Sequence, residues 1–161
     1  AYILCLRRSA MFDRILALFD KKTVKTELPP ADAKYALGAL MVRTAMADKA
    51  YLFQEVEEID RVLAKMYSLK PIEAAKMRAQ CELLEHELPK TEDLAAILTE
   101  NISQEKREMA VAALWDVVYA DGNRHSKENM LVGEIADLLG VDEATCERIR
   151  DEEVANWNKN H

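Results

Sequence analysis

The feature that most constrains this chain is that it carries one pattern twice. A displacement of 73 residues sets Asp48 on Asp121 and Glu55 on Glu128. The same displacement sets Met41 on Leu114, Ile59 on Val132, Val62 on Ile135 and Met66 on Leu139. One residue drops out near Gly140, after which Leu69 meets Val141 and Met77-Arg78 meets Ile149-Arg150. A repeat of this length is a supersecondary unit that cannot bury its apolar face alone, so the two copies are expected to stack over one core. Each copy ends a helical pattern, turns, and begins another, with an acid on each side of the turn. The upstream turn is Met46-Ala47-Asp48-Lys49-Ala50-Tyr51-Leu52-Phe53-Gln54-Glu55. The downstream turn is Tyr119-Ala120-Asp121-Gly122-Asn123-Arg124-His125-Ser126-Lys127-Glu128.

The rest of the chain punctuates as a helical protein does. Only 4 glycines and 4 prolines interrupt 161 residues, and no segment alternates with period two, so an all-α fold is expected. We expect a single compact helical domain of about eight helices built on a duplicated helix–turn–helix unit. A segment over residues 1–30 precedes it, with an amphipathic helix at Met11–Asp20 and a connector stopped by Pro29-Pro30. The helical body covers 31–161, and the repeat covers about 31–78 and 107–150. Gly38 and its alanine neighbours suit a close helix approach. Leu52, Val56, Ile59, Leu63 and Met66 step by helical spacing and read as a core seam, with Glu55, Glu57, Glu58 and Asp60 on the solvated side. Pro71 reads as a first helical residue, and Ile72, Ala75, Ala79 and Leu83 as that helix's apolar face. Thr91, Ser103, Ser126 and Asp142 read as N-caps, Gly140 as a helix-ending glycine, and Trp157–His161 as a frayed end.

These motifs resemble the TerB-like family, named for the tellurite-resistance protein, and in particular its uncharacterised bacterial branch. Met11-Phe12-Asp13-Arg14-Ile15-Leu16-Ala17-Leu18-Phe19, the Ala120-Asp121-Gly122 turn and Ala136-Asp137-Leu138-Leu139-Gly140-Val141 carry the resemblance, which runs from Met11 to Arg150. It implies a helical module that binds metal through the acidic residues of this motif, in a stress or metal-tolerance context. It also implies an alternative, a protein-interaction domain, since TerB-like domains occur attached to a membrane-anchored J-domain co-chaperone. The upstream turn departs from the family in placing Lys49 where the glycine stands.

Chemistry read from the residues alone agrees in part. Asp48 and Asp121 fall at predicted helix C-termini, where the exposed carbonyls already make the field negative, and an acid there invites a compensating cation. Glu55 and Glu128 fall in the following first turns. Asp121, Glu128, Asp48 and Glu55 are therefore the candidate metal ligands. Carboxylate and carbonyl oxygens suit Ca²⁺, Mg²⁺ or Mn²⁺ rather than a thiolate-seeking metal. The competing account is an Asx-type turn at Asp121-Gly122-Asn123 without a cation, with Arg124 and Lys127 balancing the acids.

Charge and cysteines narrow the remaining classes. Of the net −7, the stretch through Lys25 carries +4 and the remainder −11, which argues against nucleic acid as a partner. The basic amphipathic start leaves peripheral membrane contact open beside a protein partner. Cys5, Cys81 and Cys146 form no C-x-x-C pair, so a reducing cytoplasm is the expected setting. His86 among Glu82, Glu85 and Glu87 reads as a solvated face. No nucleophile–base arrangement or phosphate loop can be read from the spacing, and no enzymatic activity or catalytic residue is expected.

Overall fold

The computed structural model describes residues 28–29, 31–47, 51, 53–120 and 126–160, without the side chain of Ser126. Seven α-helices follow one another within them: α1 Ala33–Ala45, α2 Phe53–Tyr67, α3 Pro71–Glu87, α4 Thr91–Asn101, α5 Gln104–Val118, α6 Ser126–Leu138 and α7 Glu143–Asn160. No strand occurs among the described residues. The helix expected at Met11–Asp20 lies outside them.

Two helices are central because their sequences are apolar around most of their circumference. α1 is buried at every position from Ala36 to Val42 and again at Thr44 and Ala45. Such a helix is stable only when surrounded, and α1 packs on α2, α3, α4, α5 and α6. Its one buried hydroxyl is satisfied locally, Thr44 Oγ1 donating to the Leu40 carbonyl at 2.8 Å. α5 is the counterpart, burying Ala110, Val111, Ala113, Leu114, Trp115, Val117 and Val118.

The contacts between helices obey an exchange of α1 with α5, α2 with α6, and α3 with α7. The pairs α1–α2, α1–α3 and α2–α3 each have their counterpart in α5–α6, α5–α7 and α6–α7. The cross-contacts α2–α5 and α1–α6 also exchange, and α1–α5 maps onto itself. This is the contact pattern expected of two equivalent three-helix units that meet through α1 and α5. α4 joins them, packing on α1 and α6. Burial follows the same exchange: Met41 and Leu114, Ile59 and Val132, Val62 and Ile135, and Leu63 and Ala136 are all core residues.

The helix ends match in finer detail. α6 closes in a Schellman motif, with Gly140 at φ +74°, its N–H bonded to the Asp137 carbonyl at 3.0 Å and the Val141 N–H to the Ala136 carbonyl at 2.9 Å. α2 ends the same way: Ser68 takes φ +54° and the Leu69 N–H reaches the Ala64 carbonyl at 2.9 Å. Ser68 stands at the repeat position of Gly140. Several caps fall where the residue types place them. Pro71 opens α3, and the Ser103 and Asp142 side chains accept from the Lys106 and Thr145 N–H groups at 3.4 and 2.7 Å.

Several sequence expectations are corrected. Glu55 and Glu58, assigned to the solvated side of α2, are 1% and 6% exposed. The buried stripe runs through 55, 58, 59, 62 and 63, which leaves Met66 at its edge and 37% exposed. On α3 the inward face is Ala74, Met77, Cys81 and Leu84, whereas Ile72 is 71% exposed. Here helix contact selects small residues over large ones, because Cys81 lies against Gly38 of α1. A Cβ placed on Gly38 would stand 2.3 Å from Cys81 Sγ. Thr91 is the first residue of α4 and Lys90 its N-cap. Ser126 likewise opens α6 instead of preceding it. α7 continues helical through Trp157 to Asn160 instead of fraying there.

Candidate functional site

The helix ends that lead into the two turns are built alike. At the end of α1 the Met46 N–H bonds the Val42 carbonyl at 3.0 Å and the Ala47 N–H the Thr44 carbonyl at 3.2 Å. At the end of α5 the Tyr119 N–H bonds the Trp115 carbonyl at 3.1 Å and the Ala120 N–H the Val117 carbonyl at 3.2 Å. Each central helix thus tightens over its last turn before the chain reverses. Asp48 and Asp121, the acids that follow, lie outside the described residues, as does His125.

The acids on the far side are described, and their position was not foreseen. Glu55 is the third residue of α2 and Glu128 the third of α6. Both are withdrawn from water, at 1% and 0% exposed. A first-turn position suits a carboxylate because the free N–H groups and the helix field favour negative charge there. Complete burial asks more: an ionised carboxyl in a protein interior needs a donor, a counter-charge, a cation or a proton. Hard oxygen donors at these points suit Ca²⁺, Mg²⁺ or Mn²⁺. Among the described residues, no three side chains of His, Cys, Asp or Glu gather into a group that could hold a metal ion.

A shallow groove lies between the end of α1 and the start of α6. Met46 and Ala47, at the end of the first central helix, line it together with Lys127, Met130 and Leu131 of α6. Arg43 and Glu85 form its other wall, and its volume is about 520 Å³. The residues at the C-terminal end of α1 and the first turns of α6 therefore share one surface feature. Arg43 is held there by α3: its guanidinium donates to the Glu85 carbonyl at 2.8 Å and to the Leu88 carbonyl, while Nε meets Glu85 Oε1 at 3.2 Å. It thereby closes the end of α3, where carbonyls lack helical partners.

A second acidic pair was missed altogether. Asp116 of α5 hydrogen-bonds Glu153 of α7, with Arg61 and Lys65 of α2 facing the pair. Burial, and then the neighbouring Glu153 carboxyl, push Asp116 up to about 8, against the pull of Arg61 and Lys65. The repeat holds the signal in retrospect: Asp116 stands where the first copy has Arg43, so a charge was due at that place. Arg61 is engaged on its own helix by both oxygens of Glu58, which explains how Glu58 is accommodated inside. His86 is exposed, as expected. Cys81 and Cys146 are free and buried. Burial pushes Cys81 up to about 12, which suppresses its thiolate.

No helix among the described residues is long and apolar enough to cross a membrane. Neither curated proteins nor solved structures include a match to this chain. The family model described as tellurite resistance protein TerB does match, over residues 34–151. That span runs from the first turn of α1 into α7 and takes in both acidic turns and all three members of each repeated unit, and the chain therefore belongs to the TerB family.

Proposed function

We propose that this chain is a non-enzymatic TerB module that binds a divalent cation at its acidic turns, in a cytoplasmic stress or metal-tolerance setting. Asp121 and Glu128 form the principal site and Asp48 and Glu55 its weaker counterpart. One observation carries the reading: Glu55 and Glu128 are both buried, at the same position of two equivalent units. Exchanging a buried charged group for a well-packed apolar one is often neutral or stabilising, so a carboxylate at both core positions supports a ligand role. The groove between the end of α1 and the start of α6, with Glu85 and Glu134 in its walls, supports a cation-attracting surface near them.

The test is thermal unfolding of the whole chain with Ca²⁺, Mg²⁺ or Mn²⁺. Cation at about a hundred times its dissociation constant should add about 2.7 kcal/mol, a readily measured rise in Tm. Glu128→Gln and Asp121→Asn should each remove most of that response. A response retained in the double variant would locate the cation elsewhere, and no response in the wild type would overturn the reading.

The same groove favours a second reading, a protein-interaction module whose turns are structural. Met46 and Met130 stand 44% and 68% exposed within it, and flexible thioethers suit adaptable contact with a partner's apolar residues. A chain with no cation response in which Met130→Lys abolishes capture of a co-chaperone-type partner would favour this reading.

A further inference from the structure

The two units are not equally closed. In the first, Asp60 of α2 reaches Arg78 of α3 at 2.6 Å, and Arg78 continues to Glu82 at 2.7 Å. The repeat places Gly133 where Asp60 stands and Arg150 where Arg78 stands; each is the eighth residue of its helix, as its counterpart is. Ala136 replaces Leu63 in the same way. Two side chains that fill the first interface are thus shortened in the second, and a Cβ on Gly133 would meet nothing within 4 Å. Between α5, α6 and α7, beside these two shortened positions, lies a cavity of about 390 Å³. That is the small end of the range for ligand sites.

Its walls are chemically unfinished. Trp115 is 3% exposed, yet its indole N–H has no hydrogen-bond acceptor; the neighbouring Cys146 sulfur is its nearest approach to one. The buried Oδ1 of Asn129 has no donor. Among the described residues Arg150 pairs with the adjacent, exposed Asp151, at 3.4 Å, and its repeat position lacks the acid that its counterpart holds. Asp137, Glu143 and Glu147 also line the space. Three carboxylates against one guanidinium would repel a simple anion, while a simple cation would leave Arg150 and the indole N–H unused. A zwitterion satisfies both sets, and Val141, Ala136 and Cys146 offer its remainder an apolar wall.

We propose that the cavity between α5, α6 and α7 binds a free aliphatic α-amino acid, with Arg150 and Trp115 taking its carboxylate and Asn129 with the acidic wall taking its ammonium group. The site is separate from the acidic turns and does not depend on a cation there. The full chain carrying Trp157→Phe leaves Trp115 as the only tryptophan of two, so its emission reports on the cavity. Titration with L-leucine or L-valine to about 10 mM saturates even a site with Kd of about 1 mM. A saturable change is expected with the amino acids, and a much weaker one with isovalerate or isobutylamine alone. Arg150→Gln should weaken binding at least about tenfold. Gly133→Asp restores the acid of the first unit, so it should abolish binding and raise Tm. Circular dichroism checks that each variant is folded; if Gly133→Asp does not fold, Arg150→Gln decides. No saturable change with any standard amino acid, equal binding of isovalerate, or undiminished binding by Arg150→Gln would each overturn the proposal.

Discussion

Replacing Gly38 by alanine tests how the first unit is held shut. The added Cβ would lie 2.3 Å from Cys81 Sγ and 3.2 Å from Cys81 Cβ, with Leu63 Cδ2 at 3.7 Å on another side. The sulfur can rotate, but Cys81 is fully buried and its Cβ moves only with α3. Overpacking of this kind costs about 1–3 kcal/mol. Alanine returns about 1 kcal/mol through its better helix propensity, so a net loss of about 1–2 kcal/mol is expected at the upper part of that range. Cys81→Ala alone should cost about 1 kcal/mol, as the loss of one buried heavy atom does elsewhere. The double variant then places a methyl where the sulfur was, and the two losses should not add. Urea unfolding of the four proteins gives the coupling, expected at about 1–2 kcal/mol in favour of the double variant. Additivity to within about 0.5 kcal/mol, the behaviour of independent sites, would show that α1 and α3 are not in contact through this pair.

Two further measurements follow. Ser68 and Gly140 share a left-handed backbone at equivalent helix ends, where a side chain costs about 1–2 kcal/mol; Ser68→Gly should raise the urea midpoint and Gly140→Ala lower it, and a shared sign would refute the equivalence. Asp116 has a folded pKa raised to about 8, so its protonated form stabilises the fold, fully below the ordinary carboxylate range and less and less as pH rises through 8. Asp116→Asn should therefore flatten the alkaline loss of stability measured by urea unfolding between pH 5 and 9, and an unchanged profile would remove the pair from the account.

What the sequence made legible was whatever depends on local backbone chemistry. Gly140 has to be a helix end because its conformation and its neighbours leave little else, and Pro71 has to open a helix because it lacks an N–H. The duplication was legible because apolar positions recur together. The helix faces were less so. Glu55 and Glu58 were assigned to water because a charge counts as polar in any periodicity, although a carboxylate can be buried if its partners come from elsewhere in the chain. Helical spacing puts Ile72 on one face with Ala75, Ala79 and Leu83, yet close contact between α1 and α3 turns Ala74 and Cys81 inward. Such contacts depend on which helices meet, and no window of one helix contains that information. The Asp116–Glu153 pair is the same case, joining residues 37 positions apart along the chain.

The exchange between the units separates what the architecture requires from what it permits. The units are alike in the carbonyl bonding that ends the first helix, in the glutamate at the third position of the second, and in the left-handed residue that ends the second helix. The first two helices of each unit meet the core and the other unit, so a change in their turn would displace everything that packs on them. The third helices lie outside this arrangement, and here the copies diverge: Gly38 faces Cys81 in one while Val111 occupies the equivalent place in the other, and Asp60 binds Arg78 where Gly133 leaves Arg150 without that acid. The glutamates are buried at the same position of both units, and because exchanging a buried charge for a well-packed apolar side chain is often neutral or stabilising, they are where the proposed cation role is tested most directly. The divergence at the third helix is where a second specificity could arise without disturbing them.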